Sequence, residues 1–249
     1  MLEPATEQAR AGEIASEAIN LAKELTRSAY DGLALDKEVE TFIRDSGGRP
    51  ALKGYHPGFA DKPYEWTICL AVDNDVVHGV PDKQVDPTQL ITVDLVVEYG
   101  GWFADTARTF THSGDSTRQE FVKNSLRIFN TAMDMIGPNL DIGLYGGMVE
   151  VASKMCRYGV IKEYCGHGIN QAIHTEPQIL NYGRSDGSVF QAGNSYAVEP
   201  VLSIDKEYVL NDILDDGYSI TANCLVSHNE DTIFVSPRGI VNLTGKKYE

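Results

Sequence analysis

The chain has 249 residues and carries 21 Lys and Arg against 36 Asp and Glu, a formal charge of −15 at pH 7. A hydrophobic share of 42% with 23% charged residues excludes wholesale disorder, and the acidity excludes a broad face for nucleic acid or anionic membrane, both of which need clustered Lys and Arg. At roughly 150 residues per domain the length admits one or two domains, with room for a substantial core.

The N-terminal Met1-Leu2-Glu3-Pro4 lacks the basic start and apolar run of a secretory signal, and no apolar stretch is long enough to span a bilayer. Ala11, Ile14, Ala15, Ala18, Ile19, Ala22 and Leu25 recur at helical spacing and predict a helix over 5–29, weakened by Gly12 and stopped by Asp31-Gly32. Val39, Phe42 and Ile43 predict a second helix, Asp36 to Arg44, closed by Ser46-Gly47-Gly48. Residues 47–66, rich in Gly, Pro and aromatics, read as loop. Strands follow over 67–72 and 76–79, and a further pair over 90–97 and 102–110 turns around Tyr99-Gly100-Gly101. Helices are predicted over 116–136, stopped by Gly137-Pro138, and over 144–158, ending at Gly159. Short strands then occupy 160–165, 195–204, 207–211 and 230–236. The order helix, helix, strands thus occurs twice, without a residue-level repeat or a Pro/Ser linker. It suggests two related α+β halves sharing one site. Cys69, Cys156, Cys165 and Cys224 form no C-x-x-C pair and read as free thiols of a reducing cytoplasm.

Asp94 and Asp105 fall on the two strands of the hairpin. A two-residue loop at Gly100-Gly101 sets Asp94 opposite Ala107 and Asp105 opposite Val96; a four-residue loop, Glu98 to Gly101, sets the two aspartates opposite each other. Either way both carboxylates share one face. Buried side by side, they need a cation or a shared proton; on an exposed edge they need neither, and the pair alone fits both. His167 lies between Gly166 and Gly168, His174 opens His174-Thr175-Glu176-Pro177, Glu199 sits in the apolar run Tyr196 to Leu202, and Glu230 leads into Asp231 to Val235. Singly, each is explained by a salt bridge or a satisfied core position. Together, four carboxylates and one imidazole form a hard oxygen set with one nitrogen, which suits Mn, Fe, Co or Zn, often as a bridged pair.

The ordered motifs resemble the type 1 methionine aminopeptidases. They are Gly54-Tyr55-His56, then Asn74-Asp75-Val76-Val77-His78-Gly79-Val80-Pro81-Asp82, then Asp94 and Asp105-Thr106, then Glu163-Tyr164-Cys165-Gly166-His167-Gly168-Ile169, His174-Thr175-Glu176-Pro177, Glu199-Pro200 and Glu230-Asp231-Thr232-Ile233. The likeness runs from about residue 7 to 244, and no large insertion separates His174 from Glu199, which resembles type 1 rather than type 2. The resemblance implies an α+β pita-bread (creatinase/aminopeptidase-like) fold: two pseudo-symmetric halves around a central antiparallel sheet, helices on the outer face, one catalytic metallopeptidase domain over 1–249. It implies a cytoplasmic, monomeric methionyl aminopeptidase, a metal-dependent hydrolase that removes N-terminal methionine from nascent proteins and peptides and prefers a small second residue.

It further implies that Asp94, Asp105, His167, Glu199 and Glu230 hold two divalent ions (Mn, Fe, Co or Zn), with Asp105 and Glu230 bridging. Water activated by the pair would attack the first peptide carbonyl, with Glu199 moving its proton, His174 donating to the carbonyl oxygen and His78 contacting the scissile amide nitrogen. The implied methionine pocket is Tyr55, Cys69, Ile173 and Tyr218, with Phe59 a further candidate. The implied partners are N-termini of nascent polypeptides, without nucleic-acid reading or membrane contact; the charge of −15 weakens any expectation of a basic loop docking on the ribosome.

Four features depart from the family pattern. Ile173 stands where Phe is usual, Tyr218 where Trp is common, Asn170-Gln171-Ala172 replaces a Gly-rich basic stretch, and His228-Asn229-Glu230-Asp231 replaces Gln-Tyr-Glu-His. None removes an implied ligand. They bear on pocket size, and Asp231 is expected to add negative charge near the metals. Two other readings compete. Asp105 to Phe110 has some likeness to the proline-specific relatives, prolidase and aminopeptidase P, but the large N-terminal domain of such enzymes is missing and the histidine motifs fit the methionine branch better. A non-catalytic pita-bread binding protein conflicts with the filled ligand positions.

Overall fold

The computed structural model describes residues 3–245; Met1 and Leu2 of the N-terminal reading lie outside the described residues. Helix α1 spans Thr6–Leu25 and stops before the predicted residue 29, where the Thr26 hydroxyl donates back to the Ala22 carbonyl. Gly12 belongs inside this helix for a packing reason: a Cβ there would lie 2.5 Å from the Leu243 carbonyl oxygen. Helix α2, Gly32–Asp45, begins four residues before the predicted start, because Asp31 is its N-cap and accepts from the Ala34 amide. Helices α3 (Ser116–Met133) and α4 (Ile142–Cys156) are capped in the same way by Asp115 and Asp141.

The main sheet has nine strands: β1 (Arg49–Pro50), β2 (Cys69–Val72), β3 (Ile91–Tyr99), β4 (Trp102–Phe110), β5 (Cys165–Gly168), β6 (Thr175–Leu180), β7 (Ser195–Val198), β8 (Glu230–Ser236) and β9 (Gly239–Asn242). Their lateral order is β6-β5-β7-β8-β4-β3-β1, with β9 also paired to β8 and β2 to β3, every pairing antiparallel. The predicted strand 195–204 is broken at Glu199-Pro200, where proline cannot donate to a ladder. Over 207–211 the structure has one isolated bridge, Leu210 to Ala222, in place of a strand. Strands β6 and β9 were not expected: β6 is a polar edge segment and β9 a short run with neither face buried.

Gly100 and Gly101 have φ of +58° and +83°, the backbone of a two-residue hairpin loop with both central residues left-handed. That turn selects between the two possible registers: Asp94 faces Ala107 and Val96 faces Asp105. Strand alternation then divides the sheet. Ile91, Val93, Leu95 and Val97 pack with Ile14, Ile19, Val39 and Ile43 of α1 and α2. Ile233 and Val235 pack with Phe129, Tyr145 and Val149 of α3 and α4. Each fully buried side chain of this kind contributes about 1.5–3 kcal/mol, so a one-residue slip, which would turn the whole set away from the helices, is strongly disfavoured. The helices therefore cover one face, and Asp94, Asp105 and Glu230 are left on the other.

Candidate metal centre

Ala107 organises the acids. It is the register partner of Asp94 on one side and of Glu230 on the other, and its methyl group leaves space between the two carboxylates. Asp105 precedes it by one pleat on the same face. His167 comes from the middle of β5 and Glu199 from the break after β7. Asp105, His167 and Glu230 each offer a ligand atom, all within 4.8 Å of one another. His167 Nε2 lies 3.6 Å from Glu199 Oε1 and 3.9 Å from Asp105 Oδ2. His167 Nδ1 is 3.0 Å from the Gly168 carbonyl, so it donates there and the lone pair of Nε2 faces the acids, as a metal-ligating imidazole requires.

The donor set fits a divalent cation. Asp105 Oδ1 and Glu230 Oε1 are buried with no hydrogen-bond partner, a costly state for carboxylate oxygens. Burial, reinforced by their acidic neighbours, pushes Asp105 and Glu230 well above the usual carboxylate range, and burial carries Asp94 up to about 6. These acids cannot all be charged together without a compensating cation. Asp231, in contrast, points to the helix side of β8. It pairs with Arg108 at 2.5 Å and accepts from Asn242 and Thr244. Strand alternation turns its side chain to the face opposite the centre, while its charge still adds to those that raise the Glu230 carboxyl.

The acids form the floor of a cavity of about 310 Å³, lined on its apolar wall by Tyr55, Cys69, Ile173 and Tyr218, with Phe59 at the mouth. Tyr64 also lines it and was missed, since nothing in its loop sets it apart from the other aromatics. Tyr64 meets Tyr218 edge-on at 5.2 Å, while the Tyr218 hydroxyl donates to the Lys62 and Pro63 carbonyls. Cys69 is the register partner of Asp94, and burial keeps its thiol protonated. All four cysteines are free.

Two histidines stand over the acids. His78 has φ of +57°, a strained conformation for a side chain of this size and one that clusters at functional sites. Its ring stacks on Phe59 at 5.1 Å, and its Nδ1 is buried without a partner. His174 receives the Tyr55 hydroxyl 2.9 Å from Nδ1 and lies 4.4 Å, centroid to centroid, from His167. Burial, with help from nearby imidazoles and against the pull of Glu199, lowers both rings to about 4, so both are neutral near pH 7. A third imidazole, His228, also lines the cavity. The sequence reading gave it no role, although it lies two residues before Glu230.

Among known proteins, the sequence pattern of metallopeptidase family M24 matches residues 7–237. A methionine aminopeptidase of Clostridium perfringens is 28% identical over 240 residues, 94% of this chain and 93% of the relative. Methionine aminopeptidase B of Synechocystis is 29% identical over 241 residues, 94% and 87% of the two chains. The crystal structure of methionine aminopeptidase from Thermotoga maritima superposes with a TM-score of 0.88 at 26% identity, covering 98% of this chain and 99% of that one. Prolidase from Pyrococcus furiosus shares the fold at a TM-score of 0.71 and 21% identity, with this chain covering 66% of it. The fold is the expected pita-bread arrangement.

Proposed function

The chain belongs to metallopeptidase family M24, and on that footing we propose that it removes N-terminal methionine from nascent proteins and peptides, preferring a small second residue. The observation that carries this reading is the meeting of Asp94, Asp105, His167, Glu199 and Glu230 at the floor of one apolar cavity. The activity named for the Clostridium and Thermotoga proteins, which match along nearly their whole length, supports the same reading. Those five residues would hold two divalent ions. All five come from one chain, in keeping with a monomer, and four free thiols are in keeping with the cytoplasm. No helix among the described residues is long and apolar enough to cross a membrane.

Divalent ions at this centre supply Lewis acidity and an activated water. The protein supplies the rest. Asp94 faces the substrate's free amine, so a blocked N-terminus binds poorly. His174, neutral and engaged by Tyr55 at Nδ1, donates from Nε2 to the carbonyl oxygen as that atom gains negative charge. His78 positions the scissile amide nitrogen. Glu199 takes a proton and passes it to the leaving amine. The methionine side chain lies against Tyr55, Cys69, Ile173 and Tyr218, where an unbranched thioether fills an irregular apolar wall.

The test is peptidase activity after chelation and reloading with Mn(II), Fe(II), Co(II) or Zn(II). Release of methionine from Met-Ala-Ser, with no cleavage of X-Pro dipeptides, is the expected result. Cleavage of X-Pro alone, or no cleavage by folded, metal-loaded protein, overturns the assignment.

A further inference from the structure

His228 ends the short strand Val226–His228, and its side chain has no place in the five-residue ligand set. The residue is 3% exposed, and its Nε2 is buried with no hydrogen-bond partner. That nitrogen lies 3.6 Å from Glu199 Oε2 and 3.9 Å from Glu230 Oε2. His167 repeats these separations on the other side: 3.6 Å to Glu199 Oε1 and 3.9 Å to Asp105 Oδ2. Glu199 therefore has an imidazole nitrogen facing each of its two oxygens.

The separations are too long for hydrogen bonds, and they match ligand atoms that share an ion. With metal–ligand bonds of about 2.0–2.2 Å, two ligands stand roughly 3.4 Å apart at a tetrahedral angle and about 4.2 Å apart when opposite. The backbone holds the ring in place: the His228 amide donates to Thr109 Oγ1 at 2.8 Å, and the same hydroxyl donates to the His228 carbonyl at 3.0 Å. An imidazole nitrogen enclosed among carboxylates without a partner is costly, and a cation between them removes that cost.

We propose that His228 is a nitrogen ligand of the metal centre, binding through Nε2 on the side of Glu199 that faces away from His167. The centre then carries two imidazoles instead of one. This rests on the metal-dependent reading of the site, and it sets this chain apart from relatives with Gln at the same position of the motif. A second nitrogen shifts preference toward Zn(II) and Co(II) relative to Mn(II).

The experiment is nitrogen NMR of the full chain, labelled at histidine, stripped with chelator and titrated with Zn(II). Two Nε2 resonances should leave their metal-free positions together with zinc uptake, and H228Q should lack one of them while the other still moves. If one resonance moves in the wild type and H228Q keeps it, His228 is not a ligand, and the metal-dependent reading stands without it. If none moves and no zinc is retained, the metal-dependent reading itself fails. A hydrogen bond from His228 to a coordinated carboxylate would also alter metal affinity, but it would leave Nε2 uncoordinated, so the ring nitrogen and not the affinity is decisive. Should H228Q not fold, H228N gives the same assignment.

Discussion

The Tyr55 hydroxyl, carried by the loop that follows β1, stands 2.9 Å from Nδ1 of His174. A phenol that donates to Nδ1 fixes the tautomer with its proton on Nε2, the nitrogen free to serve a developing oxyanion. Tyr55→Phe keeps the apolar wall and removes that constraint. We expect kcat to fall by up to about 100-fold with little change in KM, the loss that misorientation of a catalytic group brings. His174→Ala is expected to lose about 10²- to 10⁴-fold in kcat while keeping its metals. Steady-state kinetics paired with elemental analysis checks both, and wild-type turnover in Tyr55→Phe would remove the tautomer argument.

Removing the metals should change how stability depends on pH. Burial raises the Asp94 carboxyl from 3.8 to about 6, and Asp105 and Glu230 shift the same way. An acid held more tightly protonated in the folded chain than in the unfolded one stabilises the fold fully below about 3.8, and that stability is lost as pH rises through about 6. Chelated protein should therefore melt at progressively lower temperature from about pH 4 to pH 7 through these groups. At neutral pH, adding a divalent ion at 100 times its Kd should restore about 2.7 kcal/mol, or roughly 5–10 °C in Tm for a chain of this size. Asp105→Asn should lose both the metal and this increment; full metal occupancy in that variant would contradict bridging.

Much of this centre is legible in the sequence alone. The hydrophobic period placed all four helices, and the alternation around Asp94 and Asp105 put them on one face whichever loop joined the strands. The register itself was not readable until Gly100 and Gly101 showed positive φ. Tyr64 and His228 escaped because their roles depend on chain segments far apart in sequence: Tyr64 meets Tyr218 across the cavity, and His228, the register partner of Val201, meets Glu199 just before that strand. Asp231 was placed near the metals because it adjoins Glu230 in sequence, whereas in a strand the adjacent residue is the one that faces away.

Arg108 and Asp231 form a pair beneath the centre, with side chains only 7% and 2% exposed. Arg108 also donates to the Glu230 carbonyl, so the pair braces the strand that carries a candidate ligand. Asp231→Ala removes one partner of a buried ion pair, a loss that costs about 3–5 kcal/mol. Denaturant unfolding should show that loss, while metal content at saturating ion remains that of wild type. A variant with unchanged stability but altered metal selectivity would instead return Asp231 to the metal surroundings.

Ile173 lines the cavity next to His174 in sequence. It is 8% exposed and clusters with Val96 and Ala51, so no reorganisation of the sheet is needed to enlarge the space it fills. Where packing alone selects a side chain, each methylene gained or lost is worth about 1–3 kcal/mol, or 10- to 200-fold in kcat/KM. Ile173→Ala is therefore expected to raise kcat/KM for Phe-Ala-Ser relative to Met-Ala-Ser by about 10-fold or more, through better acceptance of the larger ring and looser contact with methionine. Because Ile173 carries no polar group, metal content and the pH dependence of kcat should stay as in wild type. An unchanged ratio between the two peptides would place the first side chain elsewhere, against Tyr64 and Tyr218, where Tyr218→Ala becomes the variant that shifts selectivity.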